Sequence, residues 1–274
     1  MNARIEELQQ AIRALGRPQP LAALNERVDA APGARLAALV ANTARAKEWD
    51  AAHPEQAAQY RALLAELEQA TRAHERTEAE RRRVERAVLH SKHKLERSGV
   101  GHRSLESAAA PEETEALGAV RRWLAQHDKT WLVLCGPKGT GKSVAATWAV
   151  REACRSGSDG AFRRASELAK LSGFNAGAEE LEHLKRVALL VIDDAGTELL
   201  TDHAKAQFHE LCDYRHEFYG RTILTSNLRW FPTADDKLGL RGRLGDRIAD
   251  RVAHAGSLVQ LGGTSMRDGK RGAV

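Results

Sequence analysis

The chain has only three cysteines among its 274 residues, Cys135, Cys154 and Cys212. They are widely separated and form no CxxC pair, which argues against a disulfide framework or a clustered zinc site and suits a reducing compartment. Long apolar runs are missing as well. No stretch reaches the roughly 18 residues of a membrane span, and the first residues, MNARIEELQQAIRALG, carry acids where a leader would have its apolar centre. A soluble, cytoplasmic protein with no membrane contact is therefore expected. Aromatic residues make up 5% of the chain, and between residues 160 and 215 the Phe and Tyr positions are Phe162, Phe174, Phe208 and Tyr214. That is too sparse for a broad platform of stacked bases. A strong excess of either charge is missing too, with 42 Lys and Arg against 37 Asp and Glu. The formal net charge is +5 and the pI about 9.2, a mild basic excess that fits an acidic partner such as nucleic acid but also ordinary solubility.

What is present falls into two halves. Residues 1 to about 106 are rich in Ala, Glu and Arg with Leu at helical spacing. GRPQP (16–20), APG (31–33) and HPE (53–55) break this half into helices. From Glu55 to about Arg97 no breaker occurs, which predicts one helix of about forty residues. Tyr60, Leu63, Leu64 and Leu67 make one apolar stripe on it, and Val84, Ala87, Val88 and Leu95 make another. The middle, TRAHERTEAERRR, is charged all round, as in a helix that bridges packed parts or pairs with a partner. Residues 71–103 hold ten Lys/Arg against five Glu, so this helix is either a solvated strut or a basic arm. His90 and His93 share a face there without the further ligands a metal site needs. The small-residue stretch RSGVGHRSLESAAAPEET (97–114) reads as a linker, and the domain boundary is placed near residue 106, giving 1–106 and 107–274.

The second half changes rhythm. Short apolar runs WLVLCG (131–136), VALLVI (187–192), RTILTSN (221–227) and SLVQLGG (257–263), with a shorter candidate at Gly160–Arg164, alternate with helical stretches. Such alternation predicts an α/β domain whose parallel sheet lies between helices.

Three motifs in this half carry chemistry. GPKGTGKS, from Gly136 through Pro137, Lys138, Gly139, Thr140, Gly141 and Lys142 to Ser143, fulfils GxxxxGK[ST] between an apolar run and a helical segment. Glycines let successive backbone N–H groups face the phosphates of ATP, and the helix N-terminus adds its dipole. Lys142 is placed to reach the β- and γ-phosphates and the Ser143 hydroxyl to ligate Mg²⁺. About fifty residues on, VALLVIDDAG delivers Asp193 and Asp194 at the end of a strand, Asp193 to hold Mg²⁺ through water and Asp194 to polarise the attacking water. The third run ends in LTSNL, where Asn227 is the candidate for orienting water and sensing the γ-phosphate, with Thr225 or Ser226 behind it.

In this order and spacing the second half resembles the AAA+ ATPases, and within them the group of DnaC-type helicase loaders and IstB-type transposition ATPases. The resemblance spans about Trp123 to Lys270 and rests on CGPKGTGKS, RRASELAKL, LLVIDDAGTE, LCDYRHEFYGRTILTSNL, RLGDRIADRV and GTSMR. It implies a five-stranded parallel sheet between helices, without a separate helical lid. Asn227 matches sensor 1. Arg251 matches the arginine finger that enters the ATP site of the neighbouring subunit, and Arg267 matches the sensor-2 arginine. A homo-oligomer with catalysis in trans is thereby implied, as is single-stranded DNA along an inner face formed by residues 170–185, with Lys170 and Phe174 as candidate contacts, and by TELLTDHAK (197–205). Relatives usually have Glu where Asp194 stands, so hydrolysis that is slow or needs a cofactor protein is expected. The two activities in the group are loading a replicative helicase onto single-stranded DNA and helping a transposase as a DNA-binding ATPase. The length of the helical half, as the partner-binding domain, favours the loader. An adaptor using ATP only as a switch is a third possibility. In the arginine-rich stretch, Arg247 is close enough to support Arg251 or to pair with Asp246 or Asp250, whereas Arg241 and Arg243 precede the helix and are surface or DNA-facing residues.

Overall fold

The structure, a computed structural model, describes residues 3–18, 32–171, 176–196 and 202–263. The chain divides into two compact units, Met1–Glu85 and Arg86–Val274.

The first unit is helical. In α1 (Ala3–Ala14) Ile5, Leu8 and Ile12 are buried, the three- and four-residue spacing of one helix face. Helix α2 (Pro32–Ala52) is followed by α3 (Pro54–Arg97), the long helix expected from the absence of breakers. Arg17 grips Asp50 through two parallel hydrogen bonds of 2.7 and 2.6 Å and lies 4.5 Å above the ring of Tyr60. This fork ties the α2 end to the start of α3 and holds the Asp50 carboxyl below its ordinary range through the hydrogen bond from Arg17. Along α3 every residue from Arg81 to His90 is exposed, including Val84, Val88 and Leu89.

The second unit starts before the expected boundary near residue 106, because the end of α3 and helix α4 (His102–Ala109) pack onto it. Ser91 Oγ donates to Cys154 O at 2.9 Å, and Lys94 pairs with Asp159 at 3.2 Å. Phe162 N–H donates to Ser98 O at 2.7 Å, and Arg151 donates to Ala109 O at 3.2 Å. The stretch read as a linker is thus largely structural. Gly99, at φ 81, lies where an added Cβ would be 2.8 Å from Phe162 O, so its glycine serves close approach.

Helix α5 (Glu115–Ala125), N-capped by the Thr114 hydroxyl, leads into β1 (Trp131–Cys135). There follow α6 (Lys142–Arg155), β2 (Gly160–Arg164), α7 (Ala165–Leu168), α8 (Ala176–Arg186), β3 (Leu189–Asp193), α9 (Asp202–Glu217), β4 (Arg221–Ser226), α10 (Gly239–Leu244), α11 (Asp246–Ala255) and β5 (Gly256–Gln260). The five strands form one parallel sheet in the order β2-β3-β4-β1-β5. Every residue of β1 and β3 is buried, as expected of strands covered on both faces. Side chains alternate between two cores. Trp131, Val133 and Cys135 join Leu184, Leu211 and Ile248 on one face. Leu132 and Leu134 join Leu117, Trp123 and Ala146 on the other. This is the α/β P-loop architecture expected from the sequence, with all five strands at the apolar runs.

One charged side chain belongs to the core. Arg215 is fully buried and donates to Leu184 O and Val187 O at 2.9 Å, to Thr222 Oγ1 at 2.9 Å and to Arg221 O at 2.5 Å. Its guanidinium joins the end of α8 to the starts of β3 and β4, and burial pushes its pKa down to about 10. No helix among the described residues is long and apolar enough to cross a membrane.

Candidate nucleotide site

The order of the strands places the carboxyl ends of β1, β3 and β4 side by side, where parallel α/β sheets gather ligands. The loop from β1 to α6 is Gly136–Ser143. Gly136, Gly139 and Gly141 have φ of 143, 85 and 83, respectively. At Gly136 a side chain is impossible: a Cβ would sit 2.6 Å from Leu261 O, where the chain leaves β5. Thr140 Oγ1 donates to Pro137 O at 3.1 Å and closes the turn, while Pro137 and Lys138 stay exposed.

Lys142, 5% exposed, is folded into this loop. Its Nζ donates to Gly136 O and Pro137 O, both at 2.8 Å. Burial lowers the pKa of this ammonium, and the field of Asp193 works against that shift. A buried cation whose hydrogen-bond partners are loop oxygens, at the start of a helix, fits an anion such as a polyphosphate.

Ser143 Oγ donates to Asp193 Oδ1 at 2.7 Å, across fifty residues of sequence. Hydroxyl plus carboxylate is a hard oxygen donor set suited to Mg²⁺. Asp193 also accepts from Thr225 Oγ1 at 2.5 Å. Asp194 follows at φ 59, a left-handed conformation that Asp tolerates better than most residues, and its N–H donates to Thr225 Oγ1 at 3.1 Å. That turn brings its exposed carboxylate to Asn227, whose Nδ2 donates to Asp194 Oδ1 at 2.6 Å. The two carboxylates, the loop serine and the β4 tip are therefore one cluster, as their order along the chain predicted.

The other expected residues lie elsewhere. Arg251, on α11, is ion-paired with Asp213 on α9, and Arg247, one turn earlier, pairs with the same carboxylate. The sequence had offered Asp246 or Asp250 as partners of Arg247; Asp213 is more than thirty residues away, and local spacing held no signal for it. Arg243 pairs with Asp236 at 3.0 Å, and Arg241 is exposed. Lys170 is exposed. Arg267, Phe174 and residues 197–201 of the expected DNA-facing segment lie outside the described residues.

Fold and site together define a P-loop nucleotide-binding protein of the AAA+ type. Residues 35–273 match the family of IstB-like ATP binding proteins, and the chain belongs to that family. It is 33% identical over 155 residues to the putative insertion sequence ATP-binding protein y4pL of Sinorhizobium fredii, a match covering 54% of this chain and 60% of that protein. It is 32% identical over 145 residues to an insertion sequence IS21-like putative ATP-binding protein of Bacteroides fragilis, covering 50% and 52%. The chain thus spans less than two thirds of these relatives' length. Among solved structures, the DnaC helicase loader superposes with a TM-score of 0.50 at 20% identity, covering 59% of this chain and 100% of that one. That likeness is one of fold.

Proposed function

We propose that this chain is a Mg²⁺-dependent ATPase that assists the movement of an insertion sequence, binding DNA and recruiting a transposase. The observation that carries the ATPase reading is the Ser143–Asp193 hydrogen bond, which joins the phosphate loop to the carboxylate strand at 2.7 Å. The transposition reading is supported by membership of the IstB-like family and by the insertion-sequence proteins among its relatives.

In this reading Gly136–Ser143 wraps the phosphates, with the backbone of Pro137, Lys138, Gly139, Thr140 and Gly141 facing them. Lys142 would turn from the loop carbonyls to the β- and γ-phosphates, and Ser143 directly and Asp193 through water would hold Mg²⁺. When bound, Mg²⁺ neutralises charge on the phosphates. Asp194 takes a proton from water, and Asn227 holds that carboxylate in place until the γ-phosphate arrives. Arg251 leaves Asp213 to serve the site of a neighbouring copy, so hydrolysis follows assembly into a homo-oligomer, and Arg267 acts within its own subunit. DNA, single-stranded in the loader reading, stimulates turnover. The helical unit ending at Glu85 is the partner-binding half and the unit from Arg86 the catalytic half.

Loading of a replicative helicase is the second reading, favoured by the separate helical unit ahead of the ATPase unit. Steady-state hydrolysis with and without DNA tests the first claim. Lys142→Ala should lose nucleotide binding, whereas Asp194→Asn should keep it and lose about 10²- to 10⁴-fold in turnover. Unchanged turnover in Asp194→Asn removes that residue as the base. Absence of turnover in the wild type with DNA leaves the adaptor. Full-length protein used as bait should capture a transposase, and capture of a hexameric helicase instead would select the loader.

A further inference from the structure

The sequence put Thr225 behind Asn227 at the tip of β4, as an alternative for handling water. The structure gives it other work. Thr225 is 1% exposed, and its hydroxyl is used twice. It donates to Asp193 Oδ1 at 2.5 Å and accepts the Asp194 N–H at 3.1 Å. Its own carbonyl accepts the Ala195 N–H at 2.8 Å, and the next residue, Ser226, donates from Oγ to Ala195 O at 2.7 Å. The end of β4 therefore holds Asp193, Asp194 and Ala195 beyond the last residue of β3.

We infer that Thr225 is a positioning residue that sets both carboxylates at once, the cation-holding oxygen of Asp193 and the left-handed turn that aims Asp194. Ser143 and Thr225 both donate to Oδ1 of Asp193. Two hydroxyl hydrogens on one oxygen fix the carboxylate plane and would leave Oδ2 to face a cation or its water. The same hydroxyl accepts the Asp194 N–H at the residue where φ is 59. A hydroxyl is one of few groups able to do both, since it must donate in one direction and accept from another. Valine has the same shape and can do neither. Because the site is buried, water does not replace the lost partners.

The inference rests on the nucleotide-site reading, and the test separates the two. Full-length wild type, Thr225→Val and Thr225→Ser are titrated with a fluorescent non-hydrolysable ATP analogue, first in EDTA and then at rising Mg²⁺. All three should bind the metal-free analogue alike. Thr225→Val should need about tenfold more Mg²⁺ for half-maximal tightening, the size expected when a support of a metal ligand is lost. Thr225→Ser should restore the wild-type midpoint, and turnover should follow with kcat reduced and KM for ATP little changed. Should Thr225→Val melt far below the wild type, Thr225→Ala carries the same expectation. A wild-type Mg²⁺ midpoint in the variant without the hydroxyl, or a serine variant as impaired as valine, overturns the role of Thr225 alone. Wild-type binding that ignores Mg²⁺ overturns the metal role of Asp193 and with it the inference, whereas a wild type that does not bind the analogue overturns the nucleotide-site reading itself.

Discussion

At the scale of single residues, the side chains that matter most are those whose partners leave them no alternative. Arg215 is fully buried and donates to five main-chain or hydroxyl oxygens between the end of α8 and the start of β4. Arg215→Met should cost about 3 kcal/mol in urea unfolding, because several buried acceptors lose their donor. Arg215→Lys should not recover it, since an ammonium cannot fan out as a planar guanidinium does. A loss under about 1 kcal/mol for Arg215→Met would show that those oxygens find other donors. The three thiols are buried, and burial pushes Cys135 and Cys212 up to about 12. Thiolate is the reactive form, so a thiol reagent at pH 8 should label none of them until the protein unfolds. The phosphate loop could be read in the sequence because its chemistry is local: eight consecutive residues make one site. Arg215 and Thr225 could not, since one binds carbonyls, which any residue supplies, and the other acts between strands whose pairing the sequence does not state. Asp213 escaped notice for the same reason.

At the scale of elements, α6 is held at more than its catalytic end. Its first residues face Asp193, its middle is tied to the end of α4 through Arg151, its last turn is bound by Ser91 of α3, and Lys94 of α3 pairs with Asp159 just beyond it. The helix that starts at the phosphate loop thus belongs to a layer including the residues before 106. A fragment starting at Arg86 should fold cooperatively, whereas one starting at residue 107 should melt about 5 °C lower or more, given roughly 2–4 °C per kcal/mol for a unit of this size. Equal melting temperatures would return the boundary to residue 106. The strands were legible from apolar runs and the long helix from its lack of breakers. The compact unit begins near residue 86, ahead of the Ser- and Gly-containing stretch that reads as a linker, where Gly99 allows close approach to Phe162.

At the scale of the whole molecule, the question is whether ATP chemistry depends on a second copy. The family and the order of motifs could be read from the sequence, yet the element that would act between subunits rests in its own chain: Arg251 and Arg247 both hold Asp213. An ion pair with 16% exposure on the Arg251 side chain keeps the guanidinium ordered until a phosphate offers a stronger claim, so Arg251→Ala should matter least in isolated subunits. The central claim is that the Lys142 site of one subunit is completed by Arg251 of another. It is tested most directly by mixing two inactive proteins, Lys142→Ala and Arg251→Ala, with DNA and Mg²⁺–ATP. Each alone should hydrolyse ATP slower than wild type by about 10³-fold or more. In a random mixture, interfaces that combine the intact loop of one with the intact arginine of the other should restore about a quarter of wild-type turnover. A mixture no more active than its parts would contradict catalysis between subunits.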